Sequence, residues 1–480
     1  MDSHRIFLSR LLRHLSWGAL CALLAACASV TVPPLPRDDV PMAWRNAENS
    51  RAPAPDLRGW WQAYHDPALN ALVTSALRDN LDVQQAALRL RAARALAFAS
   101  GAPFRPRLDF RTLSTPTPQA DADYFQAGFD AEWELGLFGR AQASEHVAAA
   151  QTGTAEAELQ AARVSLVAEV VRAYLQLRGA QQREALASEI ARAMQRKLSL
   201  IQVRERLRLS SDLEVERAKA DAASAQGALS EPRAEIAQAA QTIALLLGRN
   251  SPPPGLLVAK PLPQLPRPGF DALPADLLRT RPEIAQAQAN VLKAAGELGL
   301  AHADRFPRIG LEGAITAAAK VSGVSLGHVN STAGIGPVID IPLFDWGMRA
   351  AAEHARDAEL KASLLAYRQA VLEGAAEVES ALATLHETRK RASQADAAVA
   401  ALNHAATMTA TLRKLGQADD LDIADSWLAL SKTQVVREQA HEAQDLAFVV
   451  LYKVLGGAPL PAGDSKAADP SATNAAAGSH

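Results

Sequence analysis

The chain has 480 residues, 50 of them basic and 52 acidic, so it is too long for one ordinary core and has no basic field for nucleic acid. Apolar residues make up 49% and aromatics only 5%, the excess being largely Ala, which favours helix. The cysteine count of two, Cys21 and Cys27, excludes zinc-finger and disulfide frameworks.

Both cysteines fall in an N-terminal targeting segment. Arg5, Arg10 and Arg13 form a basic region, and Leu15 to Ala26 is an apolar run too short for a comfortable membrane helix. It ends Leu24-Ala25-Ala26-Cys27, which resembles the lipobox of bacterial lipoproteins. That resemblance implies a signal peptide over 1–26. It also implies a covalent lipid on Cys27, S-diacylglycerol and N-palmitoyl, as the one non-protein group expected. The alternative is an ordinary secretory signal with a chance cysteine. Ala28 and Ser29 follow, without the Asp that in such lipoproteins signals inner-membrane retention, so the outer membrane is expected. Past Cys27 no run of 18 apolar residues occurs, so no transmembrane helix is expected and any crossing must use strands in a closed barrel.

Residues 27–58, rich in Pro, Ala and charge, read as an extended tether. Trp60-Trp61 reads as a packing anchor, with a carbohydrate platform as the alternative. Asp66-Pro67 reads as the N-cap and first position of a helix to about Ala99, interrupted at Asn80-Leu81-Asp82. After Pro103 and Pro106, residues 107–113 alternate as a strand, and Thr115-Pro116-Thr117-Pro118 is turn chemistry.

The stretch from Tyr124 to Leu135 alternates strictly. Phe125, Ala127, Phe129, Ala131, Trp133 and Leu135 share one face; Tyr124, Gln126, Gly128, Asp130, Glu132 and Glu134 share the other. At roughly 3.3 Å per residue this strand reaches about 40 Å, enough to cross a bilayer, with Phe125, Phe129 and Trp133 facing lipid. Gly139-Arg140 is the joint at which the pattern turns helical. One helix is expected from Arg140 to about Leu207, roughly 100 Å long at 1.5 Å per residue. Ser210-Ser211-Asp212 turns the chain into a second helix, Leu213 to Leu247, stopped by Gly248.

A Pro-rich linker over 251–270 follows, and then the same order returns. A helix from Leu273 to Asp304, interrupted at Arg281-Pro282, leads to a strand with Ile309, Leu311 and Ile315 on one face. A fourth strand carries Ile335, Ile339, Ile341 and Leu343 on one face, and Gly347 launches a second long helix. That helix pauses at Lys414-Leu415-Gly416-Gln417 and stops at Gly456-Gly457. Residues 459–480 read as a disordered tail. Leu213-Glu-Val and Leu247-Gly248 recur as Leu421-Asp-Ile and Leu455-Gly456, both at an offset of 208, and Phe104-Arg-Pro answers Phe306-Pro at about 201. The chain is therefore read as an internal duplication. Repeat 1 spans 59–250, with a hairpin at about 106–136 and long helices over 140–248. Repeat 2 spans 271–458, with a hairpin at about 307–344 and long helices over 347–456.

Four strands cannot close a membrane barrel, so several chains must share one. At this point the motifs themselves carry a resemblance. The lipobox cysteine, Trp-Trp-x-x-Tyr-x-Asp-Pro-x-Leu, Trp-Glu-Leu-x-Leu-Phe-Gly-Arg, Leu-Leu-Arg-Thr-Arg-Pro-Glu-Ile (277–284) and Phe-Pro-Arg-Ile (306–309) occur in order. Pro-Leu-Phe-Asp-Trp-Gly (342–347), Glu-Val-Glu-Ser-Ala-Leu (377–382) and the terminal Leu-Gly-Gly follow. Together they resemble the TolC-like outer-membrane factors, in the lipoprotein branch serving resistance–nodulation–division efflux pumps. The resemblance covers about residues 27–458. It implies a mixed α and β fold and a homotrimer with a 12-stranded outer-membrane barrel continuous with a periplasmic α-helical barrel. It also implies a periplasmic adaptor and an inner-membrane transporter as partners, and a passive exit duct for small toxic solutes.

In such channels the closed end lies at the helix–turn–helix tips, here 207–213 and 415–425. An acidic pair after the second tip narrows the pore, and Asp422 and Asp425 match it. Ordinary capping and solvated charge near a turn is the competing reading, while Asp419 and Asp420 read as capping residues. No catalytic constellation, phosphate loop or metal-ligating spacing emerges; the histidines, His302 and His441 among them, are scattered. An enzyme is therefore not expected, and energy must come from partners. Rival readings are a duct for polypeptide secretion or metal-ion efflux, and a lipid-anchored periplasmic coiled-coil scaffold.

Overall fold

The computed structural model describes residues 30–36, 44–46, 57–115, 123–263, 265, 280–322 and 325–460. The expected signal peptide over 1–26, Cys27, the turn prolines Pro116 and Pro118, the helix start near Leu273 and nearly all of the tail over 459–480 lie outside the described residues.

The first repeat supplies α1 (Pro67–Asp79), α2 (Leu81–Ser100), β1 (Arg107–Thr115), β2 (Asp123–Glu134), α3 (Arg140–Arg206), α4 (Asp212–Gly227) and α5 (Ser230–Leu246). The second supplies α6 (Pro282–Ala303), β3 (Arg308–Ser322), β4 (Ser325–Asp340), α7 (Met348–Lys414) and α8 (Asp420–Val454). Both long helices, α3 and α7, have 67 residues, and they start and stop 208 positions apart. The left-handed residues repeat too: Phe138 and Trp346, Gly139 and Gly347, Arg208 and Gly416, Gly248 and Gly456. Repetition of backbone punctuation at one offset is what a duplicated supersecondary unit leaves behind.

Two expectations need correction. The helix read as continuous over 213–247 breaks at Ala228-Leu229 into α4 and α5. Pro232 is the cause: its ring clashes with the carbonyl of residue 228 and it has no N–H to donate. The fourth strand ends at Asp340, so Ile341 and Leu343 lie beyond it. Within the described residues α6 begins at Pro282, the favoured first-turn position for proline, where the interruption at Arg281-Pro282 is expected.

Compactness does not follow the repeats. One unit falls within Met1–Asp38, Leu88–Ala157 and Ala285–Ala370, the other within Asp39–Ala87, Glu158–Ile284 and Val371–His480, so each draws on both repeats.

The first unit holds a single antiparallel sheet in the order β1-β2-β3-β4. Its register places Leu108, Ala131 and Ile335 in one row, and Phe110, Phe129 and Ile315 in the next on the same face. The opposite face carries Arg107, Asp109, Asp130, Glu132, Glu312 and Asp340. One apolar and one charged face follow from the period of two. Phe110 and Phe129 touch with ring centroids 5.1 Å apart. Below the strands, Val291, Ala295 and Leu298 of α6 pack with Leu360 of α7, and Val30 and Leu35 of the tether lie against them.

The second unit is helical. Its densest point joins the chain's beginning to its end. Trp60, fully buried, stacks on Tyr452 at 5.3 Å and meets Phe448 edge-on, while its Nε1 donates to the Gly457 carbonyl at 3.1 Å. The tryptophans are thus packing anchors. Asp66 caps α1 by accepting from the Ala68 amide at 2.8 Å, as its position before Pro67 predicts, and Tyr174 donates to its other oxygen at 2.5 Å. Arg178, also fully buried, donates to the carbonyl of Val258 at 2.8 Å and to Gln181 at 2.7 Å, pinning the start of the linker.

Asp445 of α8 is a buried carboxyl in this unit. Desolvation, with Glu442 one turn away, pushes it up to about 8. Between its unfolded value near 4 and that folded value, the folded chain holds a proton that the unfolded chain releases. The stability is complete at low pH and is lost as pH rises through the folded value, by on the order of a few kcal/mol. Asp445→Asn is expected to melt higher than the wild type at about pH 8 and to show a shallower fall from about pH 5. Equal slopes in thermal midpoints measured across that window would rule this out.

Candidate functional site

Two places carry the geometry that matters: the strand–helix joint in the first unit and the helix tips in the second.

At the joint, β2 ends at Glu134 and the chain must leave a flat ribbon for a helix axis within five residues. It does so through Gly136, Phe138 and Gly139, all left-handed, with Gly139 at φ 79°. Only glycine adopts that region without strain, and an aromatic there costs about 1–2 kcal/mol. Phe138 is held by a partner: it stacks on Phe306 at 5.0 Å. Arg140, the first helical residue, is largely buried and bridges Glu134 at 3.4 Å and Asp304 at 2.5 Å. Asp304 also binds Arg308 at 2.7 Å. Burial opposes ionisation of Asp304, but the two guanidiniums, Arg140 foremost, hold its carboxyl below the usual range. The second joint has the same backbone, Trp346 at φ 55° and Gly347 at φ 81°, but a different surround. Leu343, Phe344 and Trp346 are 89%, 75% and 90% exposed in the single chain.

Phe125, Phe129 and Trp133 sit, as the alternation predicts, on the apolar face of β2 and are partly exposed. Trp133 also donates through Nε1 to the Phe104 carbonyl at 3.1 Å.

At the tips, each helical hairpin turns through a left-handed residue, Arg208 in one and Gly416 in the other. The following helix then opens with a reciprocal capping box, Ser211 with Glu214 on α4 and Asp419 with Asp422 on α8. Asp422 therefore spends one carboxylate oxygen accepting from the Asp419 amide at 2.7 Å. The Asp422 and Leu421 amides, with Arg204 at 2.8 Å, hold the Asp419 carboxyl below its usual range. Asp420 differs from expectation: its carboxylate pairs with Arg413 at 2.8 Å instead of capping. Asp425 forms an ion pair with Lys197 of α3. Beneath these charges, Leu198 and Ile201 of α3 pack on Ala218 and Ala222 of α4, with Leu421 of α8 against them. The structure thus brings Asp422 and Asp425 onto the first turns of α8, both exposed, and ties each to a neighbour.

Sequence reasoning missed Lys197 and Arg204, which are anonymous within a long charged helix and gain meaning only from α8. It also missed that Arg45 and Asn46 donate their amides to Glu379 at 2.7 and 3.1 Å, seating part of the tether on α7. Buried Trp44 in a proline- and charge-rich segment was the available signal. Among the described residues no group of histidines, cysteines and carboxylates could hold a metal ion, and no helix is long and apolar enough to cross a membrane.

A duplicated hairpin-plus-long-helix unit, with a sheet that is apolar on one face and charged on the other, defines a strand-and-helix channel subunit. The model of the outer membrane efflux protein family matches residues 72–249 and 273–457, and the chain belongs to that family. It is an outer-membrane efflux channel. It is similar to the pyoverdine export outer membrane protein OpmQ of Pseudomonas aeruginosa, 28% identical over 93% of this chain and 97% of the relative. Outer membrane protein OprJ of the same organism is 27% identical over 90% and 93%. Among solved structures, the outer-membrane channel OprN superposes with a TM-score of 0.77 at 29% identity, covering 90% of this chain and all of that one.

Two outcomes are expected from this geometry. Arg140→Met leaves Glu134 without its guanidinium and Asp304 with Arg308 alone, and should destabilise the protein by about 1–3 kcal/mol, read as a lower denaturation midpoint. Asp422→Asn keeps a cap acceptor and should leave stability nearly unchanged, whereas Asp422→Ala should lose about 1 kcal/mol. Equal losses in the two variants would mean that the capping box is not what the side chain contributes.

Proposed function

We propose that the chain is the exit duct of a tripartite efflux assembly and passes small toxic solutes outward without catalysis of its own. Three chains share a 12-stranded barrel, Cys27 carries the anchoring lipid, and a periplasmic adaptor and an inner-membrane transporter of the resistance–nodulation–division class supply contact and energy. The observation that carries this reading is the sheet: four strands, one apolar and one charged face, and outer strands β1 and β4 each paired on one side only among the described residues.

The duplication supports a cyclic assembly. Inside the chain the first hairpin meets the second through β2 and β3. The same relation repeated between chains joins β4 of one to β1 of the next, a head-to-tail contact that closes into a ring. The bare aromatic joint at Leu343, Phe344 and Trp346 is where such a neighbour would pack. Phe125, Phe129 and Trp133 then face lipid, and the charged face lines the lumen. The tips narrow the periplasmic end. Three copies of Asp422 and Asp425 concentrate negative potential there and favour cations.

Conductance of the purified protein in planar bilayers tests the duct, with cells lacking the gene expected to become sensitive to a drug or dye panel. Asp422→Asn with Asp425→Asn should weaken cation preference, and Lys197→Ala should loosen the tip and raise conductance. A protein that inserts no channel, even with both aspartates changed, would favour the scaffold reading instead.

A further inference from the structure

Pro232 has a consequence beyond breaking a helix. Its counterpart 208 positions on is Ala440, which is fully buried and packs with Ala392 and Ala395 in a tight three-alanine seam. The first repeat has Glu184, Ala187 and Pro232 at those three positions. Glu184 turns away to Arg233 at 3.0 Å, and α4 and α5 break just before Pro232. Where the second repeat is closed, the first is open. A cavity of about 620 Å³ lies there, floored by α3 and walled by α4, α5 and α8, with Ala187 and Pro232 in its lining. That volume is in the range that holds a drug-sized molecule.

The lining is amphipathic. Ile190, Met194, Val435 and Leu446 supply an apolar wall. Four carboxylates, Asp221, Glu231, Glu235 and Glu442, face two cations, Arg183 and Lys432. The imbalance is sharpest at the inner end, where the single Arg183 guanidinium serves both Glu235, at 2.6 Å, and Glu442. Glu442 is largely buried and lies against Gly179, where a Cβ would leave it no room. Its burial raises its pKa, although Arg183 pulls the other way. A largely buried carboxylate, Glu442, and a partly exposed one, Glu235, share one guanidinium, which leaves one negative charge over.

We infer that this cavity is a binding site for a small organic cation with an apolar body, seated between α3, α4–α5 and α8 of each chain. The apolar wall takes the body of the ligand, and the surplus carboxylate at the Arg183 end takes its charge. Phosphonium and quaternary ammonium compounds have that chemistry, which also lies within the range of solutes an efflux duct meets.

Tetraphenylphosphonium and tetraphenylborate, near-identical in shape and opposite in charge, test the inference by calorimetry on the full-length protein in detergent, with detergent-only blanks. The phosphonium should bind saturably at one site per chain and the borate should not. Glu442→Gln, which preserves size, should weaken phosphonium binding about tenfold, and Ala225→Trp, which fills the cavity from α4, should abolish it. Equal binding of the two ions, no saturable binding, or an affinity unchanged in both variants would each overturn the proposal. The assay reads binding and not conduction, so its failure would leave the duct reading standing, and a protein without conductance could still pass it.

Discussion

Everything in this chain answers to two unfilled strand edges. Among the described residues, the backbone of β1 and of β4 has no strand partner on one side, and in hydrocarbon each unpaired N–H or C=O costs several kcal/mol. A single chain has no way to satisfy them. Its apolar face would bury well in lipid, but the edges forbid insertion until another chain supplies the missing ladder. Assembly is therefore a condition of membrane insertion rather than a later embellishment, and the large apolar side chains left bare at the second joint belong to the same incompleteness.

The duplication shows what the backbone demands and what it tolerates. Both tips, both joints and both distal helix ends use left-handed residues at the same offset. Three of the four helix ends place glycine there, closing each with the paired bonds of a Schellman motif, such as Arg249 N–H to Ala244 at 2.9 Å and Gln417 N–H to Leu412 at 2.9 Å. The fourth uses Arg208 with the same bonds, Leu209 N–H to Arg204 at 2.8 Å. The geometry survives a residue that resists it, so the turn is imposed by the packing of the helices it joins. At Gly248 and Gly456 no such freedom exists: an added Cβ would fall 2.8 Å from the Asp79 carbonyl or 2.7 Å from that of Thr280.

Much of the fold was legible in the sequence because its signals are local. Alternation over Tyr124–Leu135 needs no partner to be seen, nor does Asp66-Pro67 at a helix start or the absence of proline across α3 and α7. The failures are tertiary or concern single residues set against a strong background. Pro232 was present in plain view, but the helical periodicity on both sides outweighed it. The strand end at Asp340 was obscured because Ile341 and Leu343 continue the alternation after the ladder stops. Asp445 and Arg178 look like ordinary helix-surface charges until α3 and α8 come together around them. The tether's grip on Glu379 was invisible because nothing in a helix repeat marks one glutamate as the acceptor for a distant backbone.

At the tips, on the proposed reading, one residue serves fold and function together. Asp422 accepts from its cap partner through one oxygen, and the bond fixes the carboxylate at the first turn of α8. A charge meant to act at a constriction needs such fixing, since a free side chain would average its field over many rotamers. The helix dipole helps, because an acid at an N-terminus is stabilised by about 0.3–1 kcal/mol. Asp425, one turn further on, is held instead by Lys197, which partly cancels its field and ties α8 to α3. The two aspartates are therefore not equivalent. Asp422 is a rigid charge whose removal alters the field, whereas Asp425 is half of a latch whose removal frees a lysine as well. Capping and gating, set against each other as readings of the sequence, are compatible at Asp422 because the capping bond is what positions the charge.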